Sequence, residues 1–175
     1  MIPNLSEKKN TIVFVGRYDA EQKNFSLLLD ALKKISGSLH DWNVEVIGGQ
    51  EKESDFLPVT YLGMRPHAET IEHMRAAKVL ALSSLYEGSP IVFSEAKAAG
   101  CAIMTTDVSS AGDYVTSTND GAIAQISVEH YAEALKELLQ RCEQGQIDFA
   151  DIQTQYFERF DWDKNTGKVA AKLTS

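Results

Sequence analysis

Apolar runs of strand length alternate with segments of helical period along nearly the whole chain, and that alternation restricts it to an α/β architecture on a parallel sheet. "TIVFV" (11–15) has the unbroken apolar character of a strand buried on both faces and is closed by Gly16. In "NFSLLLDALKKISG" the residues Phe25, Leu28, Leu29, Leu32 and Ile35 recur at helical spacing, with Asn24 placed as N-cap and Gly37 as the stop. Further strands are predicted at "NVEVIGG" (43–49), "VTYLG" (59–63), "VLALSS" (79–84), "CAIMTTD" (101–107) and "AIAQI" (122–126). Helices are predicted at "AETIEHMRAA" (68–77), after a turn within 83–101, and at "VEHYAEALKELLQRCEQG" (128–145), with a helical tail over 146–175. Six strands with intervening helices predict one Rossmann-like, doubly wound parallel sheet, in which ligands sit outside the carboxyl ends of the strands near the switch in strand order. Arg17 follows the first strand and Glu87 the fourth, the two that flank that switch in the common order.

A chain of 175 residues supports one well-buried core and is short for two. Its apolar runs fall far below the roughly 20 residues that span a bilayer. The start "MIPNLSEKKN" lacks the apolar core of a signal peptide, and Cys101 and Cys142 form no disulfide framework, so a reducing cytoplasm is expected. A formal charge of -8 argues against non-specific nucleic-acid binding, which draws on clustered Lys and Arg. The histidines, His40, His67, His73 and His130, show no metal-ligand spacing, and no metal or cofactor is expected.

The turn after the first strand, "GRYDAEQKN", lacks the G-x-G-x-x-G that a dinucleotide pyrophosphate requires, and the second strand ends Val46-Ile47-Gly48 without an acid for ribose. Both features argue against NAD. A phospho-accepting receiver would need an acidic cluster where this chain has Gly16-Arg17. What the turn offers is two cations, Arg17 and Lys23, six residues apart at a strand-to-helix junction, an arrangement suited to a diphosphate. Ser89 as N-cap and Pro90 as first helical residue would leave the N–H groups of Ile91 and Val92 as a second anion cradle. In the same helix Glu95 falls at the centre of an arc formed by Ile91, Val92, Ala96, Ala98 and Ala99, with Ser94 and Lys97 on the polar side. A carboxylate there either faces a lined cleft or a partner, or bends out to water from a helix at the sheet edge.

Gly16-Arg17 with Lys23, Gly63 after the third strand, "SSLYEGSP", and Glu87 and Glu95 separated by seven residues and followed by "AAGC" together resemble a known family. It is the C-terminal, nucleotide-sugar-binding half of retaining GT-B glycosyltransferases of the group 1, family 4 type. The resemblance implies a donor site without a metal. Arg17 and Lys23 would grip the diphosphate, Glu87 would lie beside the sugar, and Glu95 would accept from the ribose hydroxyls. Main-chain groups at Gly63 and Met64 would meet the base, and Gly16, Gly88, Ser89, Ile91 and Val92 would complete the donor pocket. Arg17, Lys23 and Glu87 would carry the catalytic electrostatics.

The implied partner is a nucleoside diphosphate sugar, the implied activity hexosyl transfer. Residues 1–10 resemble the end of an interdomain linker through Pro3-Asn4, 11–145 the nucleotide-sugar domain, and 146–175 a C-terminal helical tail. Two departures stand out: Ser89 replaces what is often a bulkier apolar residue, and the family's acceptor-binding N-terminal domain has no counterpart here. This chain alone is therefore expected to be inactive, with any membrane docking left to the missing half. "DWD" (161–163) matches a metal-binding D-x-D of a different glycosyltransferase fold, but its place in the tail suggests packing by Phe160 and Trp162. A non-catalytic nucleotide-sugar-binding module and half of a GT-B sugar-nucleotide epimerase remain alternatives.

Overall fold

Every strand of the sheet is parallel to its neighbours, as the alternation requires. The structure, a computed structural model, describes residues 7–159 other than 55, 57, 89, 90 and 109. The strands are β1 (Lys9–Val15), β2 (Asn43–Ile47), β3 (Val59–Gly63), β4 (Ala77–Ala81), β5 (Ala102–Thr106) and β6 (Gly121–Ala124), in the spatial order β3-β2-β1-β4-β5-β6. The central register sets Ile12 beside Val44 on one side and Val79 on the other. Ile12, Val13, Phe14, Val79, Leu80 and Ala81 are fully buried. The uninterrupted apolar runs that identified β1 and β4 are therefore the hydrophobic centre of the molecule.

The helices are α1 (Phe25–Lys34), α2 (His67–Ala76), α3 (Ile91–Ala98), α4 (Ala111–Tyr114), α5 (Val128–Glu143) and α6 (Phe149–Arg159). α1 packs against α5, while α2 and α6 each pack against α3. Right-handed connections place these two groups on opposite faces of the sheet. α5 has the clearest start signal, since Ser127 Oγ accepts from the His130 N–H. Its Tyr131, wholly buried, donates to the Leu82 carbonyl at 2.9 Å and so ties α5 to the end of β4.

Several local expectations change. Asn24 precedes α1 as predicted but does not cap it through its side chain; it lies in the left-handed region at φ 44. Its N–H closes a 3-10 turn over Glu21–Lys23 by donating to the Glu21 carbonyl, and its own carbonyl accepts from Leu27 N. One residue thus ends the first turn and starts the next helix, a conformation that Asn tolerates. α1 ends at Lys34, and Gly37 falls in a separate 3-10 turn, Ser36–Ser38. Ala77 belongs to β4 rather than to α2.

Where the chain enters the sheet, the Lys8 ammonium donates to the carbonyls of Ala77 (2.7 Å), Ala99 (2.8 Å) and Met74 (3.2 Å). It thereby pins the ends of α2 and α3 to the start of β1, where helix dipoles favour a cation. Burial pushes the Lys8 ammonium below its usual range, against the opposing pull of Cys101 beside it. The tail residues 160–175, with "DWD", and the Pro3-Asn4 segment lie outside the described residues.

Candidate functional site

β1 and β4 are adjacent and parallel, and from their ends the chain leaves in opposite directions, towards β2 and towards β5. This is the topological switch of a doubly wound sheet, where the connecting loops diverge and open a crevice. The loops are nonetheless stitched together. Ser83 Oγ donates to the carbonyls of Lys23 (3.1 Å) and Asn24 (3.0 Å). Leu85 N donates to the Gln22 carbonyl at 2.8 Å, and Gln22 Nε2 returns a bond to the Tyr86 carbonyl at 2.9 Å.

Gly16 opens the first loop at φ 150, and a Cβ there would lie 3.3 Å from Lys23 Cε. Gly48, at φ 112, would drive a Cβ into the Gly16 carbonyl. Both positions therefore need glycine: one gives the lysine stem its path, the other lets the ends of β1 and β2 touch.

That path brings Lys23 Nζ to 2.6 Å from Glu87 Oε1, with 20% of the lysine side chain and 7% of the glutamate side chain exposed. Ser84 Oγ donates to the same carboxylate oxygen at 2.6 Å. Arg17 stands apart: its side chain is 73% exposed, and its one close acid among the described residues is Asp19, at 3.8 Å. The structure thus gathers Gly16, Lys23 and Glu87 and leaves Arg17 at the mouth.

The other residues predicted for the site sit further along the carboxyl edge. Gly63 ends β3, and Met64 after it is 71% exposed. Arg65 lies 4.0 Å from Glu51. Gly88 is exposed, with open space where a Cβ would stand, and Ser89 and Pro90 are outside the described residues. Ile91 is 72% exposed and Val92 partly buried.

α3 corrects one expectation about its faces. The side of α3 that enters the core carries Phe93, Ala96 and Lys97, so Lys97 leaves the polar side expected for it, while Ala96 and Ala99 of the arc around Glu95 are buried as well. Lys97 is buried rather than polar surface: its Nζ lies 3.1 Å from Asp120 Oδ2, with side chains only 6% and 9% exposed. Desolvation holds this ammonium below its usual range, and the Asp120 charge opposes that shift. A long apolar stem ending on a buried acid fits a core face, which hydropathy alone hides. Glu95 is 22% exposed and receives His67 Nε2 at 2.6 Å, from the first residue of α2.

His67 carries no local sequence signal for this contact, since it is 28 residues from its partner and the histidines have no metal-ligand spacing. Ser84 lies only three residues before Glu87 in the same loop, a local signal that could have been read. A cavity of about 110 Å³ is lined by Lys97, Tyr114, Asp120 and Arg159, and one of about 500 Å³ lies between α2 and the starts of β1 and β2. Neither is lined by Lys23, Glu87 or Glu95.

The sequence model of the family described as "Glycosyl transferases group 1" matches residues 2–146. A phosphatidyl-myo-inositol mannosyltransferase of Mycolicibacterium smegmatis is 28% identical over 161 residues, which cover 87% of this chain and 42% of that protein. Among solved structures, sucrose-phosphate synthase from Thermosynechococcus elongatus superposes with a TM-score of 0.73 at 20% identity, over 95% of this chain and 46% of that one. A point mutant of S. aureus TarM, solved in complex with fondaparinux, alpha-GlcNAc-glycerol and UDP, superposes with a TM-score of 0.76 at 14% identity, over 100% of this chain and 38% of that one. The chain thus spans less than half the length of each of these proteins.

Proposed function

The chain belongs to the glycosyl transferases group 1 family and has the Rossmann-like fold of GT-B glycosyltransferases, and from that premise we propose that it is the donor-binding half of a retaining, metal-independent hexosyltransferase. The observation that carries this reading is the Lys23–Glu87 pair, held at 2.6 Å at the switch between β1 and β4.

In this reading a nucleoside diphosphate sugar lies along the carboxyl edge of the sheet. Its diphosphate sits over Gly16 against Lys23, with Arg17 closing from the mouth and the N–H groups of Ile91 and Val92 facing it. As the bond between the anomeric carbon and the phosphate oxygen breaks, negative charge develops on the leaving diphosphate. Lys23, Arg17 and a helix start stabilise it there without a metal. Lys23 meets the diphosphate already oriented by Glu87, so little reorganisation is needed. In this reading Glu87 accepts from sugar hydroxyls rather than acting as a nucleophile, with its Oε1 held by Lys23 and Ser84. Glu95 accepts from the ribose, and the main chain at Gly63 and Met64 meets the base. The acceptor comes from a second domain across the crevice.

Calorimetric titration of UDP, GDP and ADP in the presence of EDTA tests this. We expect weak binding of at least one of them, undiminished by the chelator. No heat with any at millimolar concentration, or a strict need for manganese or magnesium, would overturn the reading.

A further inference from the structure

Glu95 projects from a short helix with three rotatable side-chain bonds, and an unrestrained glutamate would lose much of its freedom on meeting a ligand. The structure removes that freedom in advance. His67 Nε2 lies 2.6 Å from Glu95 Oε1, and because a carboxylate only accepts, the imidazole donates through Nε2. Among the described residues Oε2 has no side-chain hydrogen-bond partner.

His67 is itself anchored at the helix start. It follows Pro66, whose carbonyl accepts from Thr70 N at 3.0 Å and from Thr70 Oγ1 at 3.2 Å. It also comes three residues after Met64, so it links the segment after β3 to the carboxylate on α3. The imidazole is 74% exposed, which leaves it little packing role.

We propose that His67 is a positioning residue for the nucleoside half of the site: it fixes the Glu95 carboxylate through Oε1 so that Oε2 points at a ribose diol. This rests on the reading of Glu95 as the ribose acceptor. A fixed acceptor favours a ligand with vicinal hydroxyls over one without them, because only the former gains the pre-oriented bond. His67 touches no ligand in this scheme; its effect passes entirely through Glu95.

The test uses the whole chain and three kinds of probe: UDP and GDP, their 2′,3′-dideoxy analogues, and inorganic pyrophosphate. The wild type should prefer the ribose form of the better-bound nucleotide. His67→Ala should cut that preference roughly three- to tenfold, the worth of about one hydrogen bond, while pyrophosphate affinity stays unchanged. His67→Gln, whose amide can donate at a similar reach, should restore most of the preference. Glu95→Ala should abolish it.

If Glu95→Ala loses the preference while His67→Ala keeps it, the ribose reading stands and the positioning role is wrong. If Glu95→Ala keeps the preference, or neither nucleotide binds, the ribose reading falls and the proposal with it. Equal losses for pyrophosphate and nucleotide in His67→Ala would show a general structural effect and overturn the proposal too.

Discussion

Lys23 Nζ lies 2.6 Å from Glu87 Oε1, joining the loop after β1 to the loop after β4 across the one place where the sheet reverses its strand order. The pair is shielded unevenly, with the glutamate almost covered and the lysine still reached by solvent. A ligand anion can therefore approach the lysine from the open side without breaking the contact behind it.

Removing the lysine should cost stability as well as binding. Lys23→Ala leaves Glu87 covered and without the cation, though still receiving Ser84, and we expect a loss of about 2–3 kcal/mol, below the full range for a buried pair because the lysine is partly wet. Arg17→Ala should change stability by less than about 0.5 kcal/mol, since its contact with Asp19 is long and exposed. Both should weaken pyrophosphate binding. Urea melts of the two variants check the contrast; equal stability losses would show that the pair is not held as described.

Direct coupling has its own signature. The double variant Lys23→Ala/Glu87→Ala should be less destabilised than the sum of its single variants by about 1–3 kcal/mol, because the two side chains share one contact that either substitution already removes. Additive losses would mean that the two side chains do not depend on each other in solution.

How much of this was readable from the residues alone follows from distance along the chain. The strands came out within two or three residues, and their order is the common Rossmann one on which the placement of Arg17 and Glu87 relied. Gly16, Lys23 and Glu87 were legible as neighbours for the same reason: each sits just after a central strand. The inward turn of Lys97 on α3 was not legible, because a lysine reads as polar surface unless the acid that receives it is known. Its acid, Asp120, is 23 residues away, and His67 lies 28 residues from Glu95, too far for any local pattern. Asn24 was placed correctly at a helix start, yet its backbone rather than its side chain does the work.

The Lys97–Asp120 pair should show an asymmetry. Asp120 also accepts from Thr116 N (3.2 Å), Thr116 Oγ1 (2.9 Å) and Ser117 N (3.1 Å), so it holds a turn as well as a charge. Asp120→Ala strands a buried ammonium and frees that turn, and should cost about 3–5 kcal/mol. Lys97→Met keeps the stem's packing and leaves the acid with its three donors, and should cost clearly less. Thermal melts giving the reverse order would overturn this account.

Alkaline pH should weaken the fold through its thiols. Desolvation raises Cys142 from 9.0 to about 12, so the folded chain keeps a proton that the unfolded chain releases. A raised value means that the contribution is intact below pH 9 and is lost as pH climbs towards about 12, at up to about 1.4 kcal/mol per unit. Buried Cys101 is raised too and acts with the same sign, whereas Lys8 and Lys97, both lowered, act oppositely. Comparing wild type with Cys142→Ala cancels every shared group. Their stability difference should be flat below pH 9 and change steadily above it, with the variant gaining on the wild type. A difference independent of pH would show that Cys142 is not desolvated in the folded chain.

Glu95 provides the sharpest separation of fold from function, because its one described partner is an exposed histidine rather than a buried cation. Exposed pairs contribute little, so Glu95→Gln should move the urea midpoint by the equivalent of less than about 0.5 kcal/mol. Nucleotide affinity should fall nonetheless, since the amide presents one acceptor where the carboxylate presents two and carries no charge to strengthen the bond. The measurement is a melt of wild type and variant, each with and without saturating UDP or GDP. An undisturbed melt without nucleotide, together with a smaller shift on adding it, is the expected result. A loss of several kcal/mol without nucleotide and an unchanged shift with it would assign Glu95 to the fold and remove it from the donor site.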